Sequence, residues 1–144
     1  MSIRIPCLLA LLLLLPTMAL ALEGPRVGGP CRYADFPGKA TIVAVTPATT
    51  TPGVTTPSPA RTVTFTFTPN APLTGEPLFQ PGKIHTLTLT NGMAPGPRFT
   101  TKYGIAPGKV FACTLRLIRQ GTCTPVLFAF PAIDLTDYFE LTTP

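Results

Sequence analysis

Residues 61–68 read Arg-Thr-Val-Thr-Phe-Thr-Phe-Thr, and their alternation decides the fold class. Val63, Phe65 and Phe67 fall on one side of an extended chain; Thr62, Thr64, Thr66 and Thr68 fall on the other. A period of two buries one face of a strand and leaves the other to water. Threonine suits the wet face because it is β-branched yet hydrogen-bonds to solvent. Similar stretches lie on both sides. Residues 41–46, Thr-Ile-Val-Ala-Val-Thr, are short, β-branched and bounded by Gly38 and Pro47. Residues 84–90 set Leu87 and Leu89 against Thr86, Thr88 and Thr90, with His85 on the leucine face. Residues 109–119 place Phe111, Cys113, Leu115 and Leu117 on one face and Ala112, Thr114, Arg116 and Ile118 on the other. Arg119-Gln120-Gly121 then supplies a turn, and residues 123–130 make a fifth strand. Pro125 lacks an N–H, so that strand begins at a sheet edge.

The spacing between strands three and four predicts a short helix. Pro97 occupies a first helical position, where its missing N–H is harmless. Phe99 and Tyr103 share a face, and Gly104 follows as the terminating residue. Asp134 can cap a further helical turn with Asp137 at N3, while Ile133 and Tyr138 form a hydrophobic staple. The order is strand, strand, strand, short helix, strand, strand. It predicts an all-β fold, a small five-stranded OB-like Greek-key barrel with the short helix between strands 3 and 4. An Ig-like β-sandwich is the alternative, but it requires about seven strands.

Residues 1–21 read as a cleaved secretory signal peptide. Arg4 gives a positive start, Cys7 to Leu15 an apolar run, and Ala19 and Ala21 the small residues before a cleavage site. The apolar run is short and broken by Pro16, which disfavours a retained membrane anchor. Residues 22–144 are expected to form a single β domain carrying a Pro/Thr-rich loop at 46–60. That loop holds four prolines, six threonines and no charge, and cannot build a core. Loss of Arg4 leaves ten Lys and Arg against six Asp and Glu, dispersed rather than gathered into a stripe.

Cys7 leaves with the signal, so Cys31, Cys113 and Cys123 remain. An oxidising compartment predicts one disulfide and one free thiol. Within the expected hairpin of strands four and five, Cys113 and Cys123 are offset along the ladder beyond the roughly 7 Å Cα limit of a bridge. Antiparallel first and fourth strands bring Cys31 close to Cys123. The expected pair is therefore Cys31–Cys123, with Cys113 a core thiol.

Catalytic chemistry finds no local motif. The only serine beyond the signal is Ser58, inside the Pro/Thr loop, which cannot position a nucleophile. His85 is the only histidine, too few for a metal site built with scattered cysteines. A Cys113–His85 dyad is arithmetically available, but Cys113 alternates with core residues. No glycine-rich phosphate loop occurs. Nucleic-acid binding would need exposed aromatics among basic residues on the outer strand faces, where threonine stands instead. The expectation is a non-catalytic, cofactor-free exported domain, periplasmic or extracellular, without stable membrane insertion after signal cleavage. Its partner would be a protein or an envelope polymer. The alternative is a structural or assembly component of an envelope or extracellular complex.

Overall fold

One long strand organises the sheet. In the computed structural model, which describes residues 29–49, 59–138 and 140, β1 (Arg32–Pro47) pairs with two partners at once. Its C-terminal part runs antiparallel to β2 (Arg61–Pro69), from Gly38↔Pro69 to Pro47↔Arg61. Its N-terminal part runs antiparallel to β4 (Val110–Gln120), from Arg32↔Gln120 to Thr41↔Val110. β3 (Ile84–Thr86) pairs with β2 and β5 (Val126–Ala129) with β4, so the order is β3-β2-β1-β4-β5. The fold is all-β, a five-stranded antiparallel sheet curled into a half-barrel.

Alternation on β2 and β4 is seen as expected. Val63, Phe65 and Phe67 are buried, as are Cys113, Leu115 and Leu117, and these two rows face each other within one core. β1 departs from its expected 41–46 span in both directions. The expected bound at Gly38 is passed, and the strand reaches back through Pro37 to Arg32. Asn70 donates its N–H to the Pro37 carbonyl at 3.0 Å, so the main-chain polar groups of Pro37 face the β2 side, where β2 has just finished. The ladder to β4 never needs the N–H that proline lacks. A bulge at Val43, between Ile42 and Ala44, then changes the phase of the strand. Ala40 and Ile42 are buried before it and Val45 packs on the core after it, while Val43 itself is 44% exposed.

Two further spans are corrected. Leu87 still donates to the Val63 carbonyl at 2.9 Å, but the Leu89 N–H turns to Met93 and that of Thr90 to Leu135. The third strand therefore ends well short of residue 90, although Leu87 and Leu89 stay buried. The fifth begins at Val126, because Pro125 cannot donate and Cys123 is held elsewhere. The Pro/Thr loop is also narrower than 46–60. Thr46 and Pro47 pair with Thr62 and Arg61, and Ala48 donates to the Ala60 carbonyl at 2.9 Å. The rest of that loop, residues 50–58, and the whole proposed signal segment lie outside the described residues.

Gly38 lies where β1 faces both neighbours, opposite Pro69 and Cys113. A Cβ there would run into the Thr68 carbonyl and come within 2.6 Å of the Phe67 ring. The first obstacle is backbone and cannot swing away. Gly38→Ala should therefore destabilise the fold by about 1–3 kcal/mol, as overpacking does. Urea denaturation will check this; a loss below about 0.5 kcal/mol would mean the strands can separate at this point.

α1 (Pro97–Lys102) lies between β3 and β4, with Pro97 in its first turn and Gly104 following at φ +62°. Phe99 is fully buried beneath it. Glu140 accepts the Phe99 N–H, which ties the chain end to this helix. Asp134 caps its turn through the Thr136 N–H at 2.9 Å. The Asp137 carboxylate takes the Lys102 ammonium and, at 2.8 Å, the Tyr103 hydroxyl, both from the end of α1.

Candidate binding cleft

β3 and β5 are the two edges of the sheet, and curling brings them to opposite sides of an open seam. Among the described residues no ladder joins them. The seam opens into a cleft of about 620 Å³, within the usual range of ligand pockets. Its floor is aromatic. His85 from β3 meets Phe128 from β5 with ring centroids 4.5 Å apart, and Phe65 lies beneath both, at 5.6 Å and 5.0 Å. Phe130 adds an edge-to-face contact with Phe65 at 5.4 Å. Strand alternation points the Phe65, His85 and Phe128 rings inward.

The rim is polar and positive. Lys83 stands just before β3, and Arg116 projects from β4. Arg116 donates to Asp35 at 2.9 Å and lies over the Tyr33 ring, whose hydroxyl donates to the Thr124 carbonyl at 2.8 Å. This chain of contacts fixes the β4–β5 hairpin against β1. No Asp or Glu lines the cleft among the described residues.

The sequence candidates separate. His85 belongs to the cleft. Burial, and then the charge of Lys83, hold its imidazole below the ordinary histidine range. The neutral ring is thus the form that fits between two phenylalanines. The folded-state pKa is depressed, so stability is full above the unfolded value of about 6.5 and declines as pH falls through that value. Denaturation midpoints measured from pH 7.5 to 5.5 should fall in wild type and stay flatter in His85→Phe. Equal slopes would show that protonation of this ring is not resisted.

Cys31 and Cys123 form the disulfide, with Cα atoms 6.2 Å apart. It bridges the start of β1 to the β4–β5 turn, where Arg32 pairs with Gln120. Cys113 is free and buried in the core. Burial pushes its thiol up to about 12, so it carries no thiolate at neutral pH and makes a poor nucleophile. Three of the carboxylates are held in ion pairs: Asp35 with Arg116, Glu76 with Arg119 and Asp137 with Lys102. Among the described residues no three His, Cys, Asp or Glu side chains converge as a metal site would require. Sequence reasoning missed Lys83, Arg116 and Phe128 as cleft residues. Arg116 lies on the expected outer face of β4, whereas Lys83 stands just before β3 and Phe128 on β5, and only the strand order brings β3 and β5 together.

Compared with protein-family models, curated proteins and solved structures, the chain matches none.

Proposed function

We propose that this chain is a small, exported, non-catalytic binding or adaptor domain that holds a protein or envelope polymer in the seam between β3 and β5. The observation that carries this reading is the cleft itself, with an aromatic floor, a cationic rim and two strand edges left open. The strand order with α1 before β4 supports an OB-like Greek-key arrangement left unclosed at that seam. The disulfide supports residence in an oxidising compartment. Among the described residues no helix is long and apolar enough to cross a membrane. Residues 1–21 supply the export signal in this reading, and residues 22–144 the mature domain.

Intact-mass analysis from the native host tests export: the mature chain should begin at or near Leu22, and retained Met1 would overturn it. Affinity capture from an envelope fraction tests binding. Wild type should retain a partner that Lys83→Glu loses, and equal capture by both would remove the seam from the reading. The second reading, an assembly component, is favoured by Ile84, which is 58% exposed on the unpaired edge of β3. Light scattering across a concentration series separates the two: a monomer at every concentration supports the binding module.

A further inference from the structure

We infer that the seam takes an extended, acidic segment of a partner chain as a sixth strand, antiparallel to both β3 and β5; this rests on the binding reading above. The direction follows from topology. β3 is two antiparallel steps from β1 through β2, and β5 is two such steps through β4. Both therefore run parallel to β1 and to each other. They stand apart without a ladder, and one strand of opposite direction pairs antiparallel with both.

Main-chain groups are aimed to receive it. Leu87 donates to Val63, so Val63–Leu87 and Phe65–His85 are the hydrogen-bonded pairs of β2 and β3. Alternation then turns the N–H and C=O of Ile84 and Thr86 away from β2, toward the seam. Ile118 donates to Pro125, which makes Arg116–Leu127 and Thr114–Ala129 the bonded pairs of β4 and β5. The groups of Val126 and Phe128 accordingly turn away from β4. Each edge thus offers main-chain groups at two-residue spacing, about 7 Å, the repeat of an incoming strand. Strand addition of this kind draws affinity from main-chain bonds and selectivity from side chains. Selectivity here is electrostatic. Lys83 and Arg116 line the cleft; Asp35, the partner of Arg116, stands outside its lining, and among the described residues no carboxylate lines the cleft itself, which favours Asp or Glu on the incoming strand.

A fluorescein-labelled heptapeptide, Thr-Val-Glu-Val-Thr-Val-Glu, is the probe, followed by anisotropy against the mature chain. It should bind, and replacing both glutamates by lysine should weaken it about tenfold or more. N-methylation of either alternate set of residues should each weaken binding about fivefold to tenfold per lost bond, because both edges are used. Thr86→Pro removes a seam-facing donor while sparing the β2 ladder, and should weaken binding similarly. Should that variant misfold by circular dichroism, the methylated peptides still decide. Equal binding of methylated and unmethylated peptides overturns the proposal, as does sensitivity to only one set. A dimer of the chain that excludes the peptide also overturns it. If the peptide fails to bind while Lys83→Glu still loses its envelope partner, the strand proposal falls and the binding reading stands. If both fail, both fall.

Discussion

Replacing Cys31 and Cys123 together by serine should lower stability by about 4–5 kcal/mol, close to the whole margin of a small domain. The bridge spans 92 residues, so in the chain-entropy account it confines most of the unfolded domain. Urea denaturation of wild type with and without reductant gives the check. Reductant should reproduce the loss in wild type and change nothing further in the double variant. A loss under about 1 kcal/mol would show that the neighbouring β1–β4 ladder keeps those ends together without the covalent tie.

Phe65→Ala should lower stability by about 3–5 kcal/mol. Phe65 is 1% exposed and sits at the centre of the aromatic floor, in edge-to-face contact with Phe128 and Phe130. Its removal opens a cavity that the β1–β2 and β2–β3 ladders prevent from collapsing. Thr68→Ala, three residues on and exposed to solvent, should change stability by less than about 0.5 kcal/mol. Comparable losses at the two positions would contradict the inward and outward faces of β2.

β2 and β4 were readable because each keeps one phase throughout and one partner face buried. β1 was not. Val43 bulges and reverses which residues point inward, so no single alternation describes Thr41 to Thr46. Pro37 and Gly38 look like a boundary, and only the arrangement of neighbours shows why each is tolerated: proline faces the point where β2 stops, glycine the point where Phe67 presses in. The disulfide was legible because it needed only the antiparallel pairing of first and fourth strands. Half of the cleft was not. His85 stood out as the lone histidine, but its partner Phe128 lies across a seam that no local pattern records. Asp137 was read only as the third residue of the turn that Asp134 caps, because Lys102 and Tyr103 reach its carboxylate from a distant segment that no local pattern records.

The double pairing of β1 also orders events in time. As the chain grows from its N-terminus, β1 meets β2 early, but its edge from Arg32 to Thr41 stays bare until Val110–Gln120 has been made. Such distant pairing places the domain among slow folders, in the millisecond-to-second class, and leaves a strand edge open to aggregation meanwhile. Oxidation meets the same delay. Cys113 emerges before Cys123 and can capture Cys31 first. The Cys123 thiolate can then attack the Cys31 sulfur of that bridge, forming Cys31–Cys123 and releasing Cys113 as a thiolate, which takes up a proton as docking of β4 buries it in the core beyond further exchange, so packing rather than order of synthesis proofreads the disulfide.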